Sequence, residues 1–160
     1  MSWTVEAPTS GPLPADLIGL ATAVQAASPE YLPEVAAGRD SIELWLARKT
    51  LTSHCSVRSA GELVGFAGIR LNYWASRPLE LCRLLVHPSW RRRGIGGALL
   101  LALTEDPSQV WASSVEESEG HELMAAAGWT EAGACSFSDD PRRGVVLVPP
   151  PGERKSPCRG

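Results

Sequence analysis

Residues 79–102 read LELCRLLVHPSWRRRGIGGALLLA. The apolar run 79–86 has strand character and stops at His87-Pro88. A short turn leads into Arg91-Arg92-Arg93-Gly94-Ile95-Gly96-Gly97, and an Ala/Leu-rich helix follows. A strand, a basic glycine loop and a helix start form an anion cradle. Glycines let the backbone turn tightly and aim successive N–H groups at one point. The helix N-terminus adds partial positive charge there. A pyrophosphate suits such a loop.

The plain alternative is a solvated basic turn, but these glycines sit between a strand and a helix start. A dinucleotide fingerprint needs G-x-G-x-x-G/A, and Leu99 stands at its last position. No Gly-Lys-Ser/Thr is present, which excludes a Walker loop, and no G-x-S-x-G nucleophile elbow occurs.

The spelling VHPSWRRRGIG, its spacing Arg91-x-x-Gly94-x-Gly96, the strand before it and the helix after it resemble the coenzyme-A loop of the GNAT superfamily of N-acetyltransferases. Ala127-Gly128-Trp129 falls about where that family has its closing "LGF". The resemblance covers 63–129; before Leu63 only the order of elements agrees. It implies an α/β (α+β) fold with a mostly antiparallel sheet, splayed parallel fourth and fifth strands, and helices on both faces. It also implies acetyl-CoA as cosubstrate, lying in the V between those strands. The pyrophosphate is expected on the loop of Arg91, Arg92, Arg93, Gly94, Ile95, Gly96 and Gly97, with Gly94 and Gly96 permitting close approach. Pantetheine is expected along the backbone of Leu84, Leu85 and Val86, whose side chains read as core. An N–H near Leu84 would face the thioester carbonyl and stabilise the developing oxyanion.

The reaction so implied is attack by a neutral amine on a thioester, which a nearby base assists. Glu80, eleven residues before Arg91, stands where some family members carry a catalytic glutamate. A structural carboxylate paired with Arg70, Arg77 or Arg83 is the competing reading. The family often has a tyrosine acid four residues before the glycine of "LGF"; here that residue is Met124. A thiolate, whose conjugate acid has a pKa near ~8.5, leaves acceptably unaided. Alternatively His121 or Ser118 supplies the proton, His121 sharing a helix face with Met124. A third reading is an acyl-CoA-binding or sensing module without catalysis.

The remaining sequence bounds these readings. Its 160 residues suffice for a domain with a proper core, and we expect one domain over 1–149 with a flexible tail over 150–160. Eighteen acidic and fifteen basic residues give a net charge of −3, which argues against nucleic acid as partner. The partner expected is a small-molecule or protein amine. Four widely spaced cysteines show no metal-ligand rhythm and predict reduced thiols in the cytoplasm, with no metal. His54, His87 and His121 lack metal spacing as well. No secretion signal is expected, and the apolar stretch 17–27 is too short to span a bilayer.

The pattern predicts strands at 3–6, 52–58, 63–73, 79–86, 110–115, 129–137 and 144–148. Helices are predicted from Ala15, after a cap at Asp40 or Ser41, over 97–103 and over 119–126, with a breaker-rich connection across 29–38. In 63–73, Val64 and Phe66 read as one face and Ile69, Leu71 and Tyr73 as another, with a bulge expected at Gly68. Tyr73, Trp74 and Trp90 read as core and cleft lip, with the lining of a substrate pocket as the alternative.

Overall fold

The structure is a computed structural model and describes residues 2–137 and 140–152. Seven strands form one sheet: β1 (Thr4–Val5), β2 (Ser53–Ser59), β3 (Glu62–Trp74), β4 (Arg77–Val86), β5 (Val110–Val115), β6 (Thr130–Phe137) and β7 (Asp140–Val148). The helices are α1 (Leu17–Ala27), α2 (Pro33–Ala36), α3 (Ile42–Ala47), α4 (Ile95–Leu103) and α5 (Glu119–Ala126). The sheet order is β1-β2-β3-β4-β5-β7-β6, and only β4 and β5 run parallel. This is the mixed, mostly antiparallel sheet that the resemblance implies.

Local chemistry accounts for most boundaries. Ala60 and Gly61 both have positive φ, at 48° and 82°, so β2 and β3 join through a two-residue turn of the mirror-image type. Ser41 caps α3 by accepting from the Leu44 N–H. Ser118 caps α5 in the same way through the His121 N–H. Gly128, at φ 89°, closes α5, and the Trp129 N–H returns to the Met124 carbonyl.

The sheet carries two cores. One lies under α4 and α5 and includes Val57, Val64, Ile69, Leu99, Met124 and Trp129. The other lies under α1 and α3 and includes Leu20, Trp45, Phe66 and Leu85. Val64 and Phe66 therefore serve opposite faces, not one. The cause is a register shift at Val57/Arg58 against Gly65/Leu63, which puts the extra residue of β3 at Val64. At Gly68, where the bulge was expected, β3 runs on regularly and the extra residue lies across the pair on β4. Leu71 and Tyr73 lie past the end of the core and are exposed.

The connection 29–38 is more ordered than its prolines suggest. Pro29 opens a 3-10 turn and Pro33 opens α2, each at a first helical position where the missing N–H costs nothing. Residues 153–160, most of the expected tail, lie outside the described residues. No helix among the described residues is long and apolar enough to cross a membrane.

Candidate active site

Strands β4 and β5 pair only at Leu79–Val110 and Glu80–Trp111, then part. Two devices set this V. At the closed end, Arg77 Nη1 donates to the Pro107 and Val110 carbonyls at 2.7 and 2.9 Å. Trp111 Nε1 donates to the Asn72 carbonyl at 2.7 Å. At the open end, β4 spends one residue more than β3 between the Gly68–Cys82 and Phe66–Leu85 pairs. Arg83 sits in this bulge with φ 56°, and bulges bend a strand.

Past the bulge the His87 N–H donates to the Val64 carbonyl. Alternation then turns Leu85 and His87 toward β3 and the backbone of Leu84 and Val86 toward the gap. β5 meanwhile pairs with β7 from Ala112 to Val115 on its other edge. A cavity of about 720 Å³ fills the V, lined by both strands, by residues around α2 and α3, and by the start of α5.

Glu80 stands at the apex, is 4% exposed and lines the cavity. Arg70, its cross-strand neighbour on β3, donates Nε to Glu80 Oε1, and Asn72 Nδ2 reaches the same oxygen at 3.4 Å. Of the three arginines considered as partners, Arg70 is the one used. Arg83 instead lies with its guanidinium carbon 3.7 Å from the Trp45 ring centroid and donates to the Trp45 carbonyl. Burial lowers its pKa to about 10.

Tyr31, from the turn before α2, reaches across the V and donates its hydroxyl to the Leu84 carbonyl at 3.1 Å. Burial raises the pKa of this phenol, so it stays protonated around neutrality. Met124 lines the same cavity and is 4% exposed. His121 does not line it; its Nδ1 accepts from the Glu117 N–H at 3.0 Å and holds the turn before α5. Cys82 lines it too, but burial pushes the thiol up to about 11, which leaves almost no thiolate near neutral pH.

The basic loop is sorted by the fold. Arg91 is tied to protein groups: Nη1 lies 3.2 Å from Glu119 Oε2 and 3.2 Å from Ser28 Oγ. Arg93 sits over Trp90, whose indole is core, and Arg92 is exposed. Arg92 and Gly94 both take left-handed φ, 62° and 83°, winding the backbone into the helix start. The N–H groups of Ile95, Gly96 and Gly97 have no carbonyl one turn earlier in α4. The two following glycines differ. A Cβ on Gly97 would meet open space, whereas one on Gly96 would lie 2.5 Å from Leu123 Cδ2. Gly96 thus lets α5 pack on α4, a role apart from the close ligand approach expected of it.

Residues 20–117 match the model of the acetyltransferase (GNAT) family. The chain belongs to the GNAT family. The mycothiol acetyltransferase of Kineococcus radiotolerans is 32% identical over 126 residues, 76% of this chain. Only 41% of that relative's length is spanned. An acetyltransferase of Corynebacterium glutamicum superposes with a TM-score of 0.65 at 19% identity, over 98% of this chain and 100% of its own. A streptothricin-acetyltransferase-like protein of Bacillus anthracis, solved with acetyl coenzyme A, superposes at 0.51 with 10% identity, over 59% of this chain and 60% of its own. GNAT members use acetyl-CoA as acyl donor, and the GNAT fold here presents a free strand edge at the V. None of residues 91–97 lines the cavity, and the wound loop meets its lining through the Arg91–Glu119 pair.

Tyr31, Trp45 and Lys49, which line the cavity, were not singled out by the sequence reading. Pro29 and Pro33, each followed by glutamate, carry a helix-start signal that points to ordered structure around Tyr31.

Proposed function

We propose that the protein transfers acetyl from acetyl-CoA directly to a primary amine. The observation that carries this reading is the 720 Å³ V whose β4 edge is unpaired beyond Glu80 and which opens between β4 and the start of α5. Acetyl-CoA, when bound, supplies an activated acyl group as a thioester. The backbone of Leu84 and Val86 receives the pantetheine amides as a neighbouring strand would. The Leu84 carbonyl has two lone pairs, so it takes one such amide while it holds Tyr31 or after Tyr31 swings away. The Leu84 N–H polarises the thioester carbonyl. The amides of residues 92–97 hold the pyrophosphate, with Gly97 leaving the approach open.

Glu80 accepts the amine proton, directly or through water, its carboxylate being held in place by Arg70. Tyr31 donates to the departing thiolate in place of a phenol at position 124. Burial keeps this phenol protonated at working pH, so its proton is in place, although the same burial makes it a weaker donor. Cys82, with its thiol near 11, is a poor covalent carrier, which supports direct transfer over a two-step route. The free cysteines Cys55, Cys82 and Cys135 fit a cytoplasmic setting.

The test is thermal unfolding with acetyl-CoA, followed by thiol release on an amine panel. A donor at ~100 times its dissociation constant stabilises by roughly 2.7 kcal/mol. No shift at millimolar acetyl-CoA sinks the reading. A shift with no thiol release on any amine leaves only acyl-CoA binding.

A further inference from the structure

Two cations in the cavity make no close ion pair, and Glu80 and Glu34 act on them only at longer range. Lys49, in the connection from α3 to β2, and Arg83, in the β4 bulge, both line it. Among the described residues no carboxylate lies within 4.0 Å of either. Lys49 makes no hydrogen bond to any described residue. Arg83 spends one donor on the Trp45 carbonyl and one face on the Trp45 ring, and its Nε is buried with no partner. Burial disfavours the charge on both: Arg83 falls to about 10 and Lys49 is lowered from 10.5. Arg70, by contrast, has Glu80 and Arg77 has two carbonyls. Desolvated charges in folded proteins are normally paired, and an unpaired guanidinium edge beside an ammonium is half of an ion-binding site.

The rest of the lining narrows the anion. Glu30, Glu34, Glu80, Glu117 and Glu119 face the same cavity, against the cations Lys49, Arg83 and Arg142. A dianion would enter an already negative field, whereas a monoanion carrying its own ammonium group would not. The planar guanidinium fork matches a carboxylate. Resting on the acetyl-transfer reading above, we infer that the acceptor is an amino-carboxylate, its carboxylate received by Arg83 and Lys49 and its amine directed to the gap beside Leu84. Amino acids and the free ends of short peptides have this chemistry.

The experiment compares each L-amino acid with its own carboxamide, which keeps the amine and removes the negative charge. Thiol release from acetyl-CoA and the thermal midpoint are both read, with inorganic phosphate as a further probe. At least one pair should differ about tenfold in kcat/KM, or in the concentration giving half the thermal shift, in favour of the carboxylate. That ratio should fall toward one in Arg83→Met and in Lys49→Gln, and partly in Arg83→Lys, which keeps the charge and loses the fork. Lys49 is not core, so its variant guards against misfolding of the Arg83 variants, and the acetyl-CoA thermal shift shows that each protein is folded. Carboxamides equal to or better than amino acids in every pair overturn the inference, as does a preference that survives in both Arg83→Met and Lys49→Gln. A phosphate shift larger than that of any amino acid and lost in Arg83→Met and Lys49→Gln overturns it too; phosphate held by the loop 92–97 would keep its shift in those variants. Transfer to amides and acids alike would leave acetyl transfer standing and remove the carboxylate site. A carboxylate-specific shift without thiol release would do the reverse.

Discussion

Two stretches of chain build the cleft, and they work by different means. The β4–α4 stretch, residues 77–103, offers backbone: an unpaired strand edge at Leu84 and Val86, three left-handed residues, and a helix start. The stretch before β2, residues 28–49, offers side chains: Tyr31 and Trp45 reach into the V from short helical pieces, and Lys49 from the connection after α3. Backbone groups serve whatever the side chains are, provided that φ and spacing are right. Side chains serve only if the remote segment docks correctly. The first stretch suits a donor that is always the same, and the second an acceptor that varies.

The glycine pair in α4 sharpens this contrast most. Gly96→Glu should destabilise the fold by about 3 kcal/mol, because its Cβ would meet Leu123 at 2.5 Å. That is roughly 6–12 °C in thermal midpoint for a chain of this size. Gly97→Glu should leave the midpoint almost unchanged, since the space is open and an acidic residue suits a first helical turn. It should nevertheless abolish the acetyl-CoA shift. If Gly97→Glu keeps that shift, the pyrophosphate does not lie on this loop.

Tyr31→Phe tests the other stretch. Turnover should fall about 100-fold, within the usual range for loss of a positioned acid. The pH dependence carries a sign. Burial raises Tyr31 above its ordinary 10.0, so the phenol remains protonated in the fold after an unfolded chain has begun to ionise. Its contribution to stability is present below pH 10 and is lost as pH rises through the higher folded value. The fall in turnover at high pH should therefore lie above pH 10 in the wild type and vanish in the phenylalanine variant. A variant with unchanged turnover removes Tyr31 as the acid.

Glu80→Gln should cost about 1–3 kcal/mol of stability, as a charge-assisted bond from Arg70 is weakened. Turnover should drop together with the pH dependence due to the base. A stability loss with an unchanged pH–rate profile would make Glu80 structural only. The smallest effect is expected at Cys82. With its thiol near 11, it should resist Ellman's reagent at pH 8 in the fold, and Cys82→Ala should change turnover by less than about threefold. Loss of activity in that variant would argue for a covalent carrier.

Much of the molecule was legible because its signals are local. The strand Val110–Val115 and the helix Glu119–Ala126 were read with the bounds they have, Gly128 marking the end of the helix. The Ala60-Gly61 turn follows from residues within a few positions. The bulge expected at Gly68 lies instead on β4 at Arg83, and the register shift that sends Val64 and Phe66 to opposite cores left no mark, because both depend on how neighbouring strands pair. The triplet Arg91, Arg92 and Arg93 reads as one basic loop. Yet Arg91 is engaged by Ser28 and Glu119, residues far away in sequence.

The sequence by itself determined the order of strands and helices and the place of the glycine loop, which rest on backbone conformation and hydrophobic period. The family and its mostly antiparallel sheet came through the resemblance that this loop carries. Only the tertiary structure decided that Glu80 pairs with Arg70, that Gly96 makes room for Leu123, and that His121 lies outside the cavity. It also decided that Tyr31, Lys49 and Arg83 meet there. The physical reason is range: a φ angle or a cap is settled within one turn of chain. The partner of a buried charge is whatever group the packed sheet and helices bring within hydrogen-bond reach.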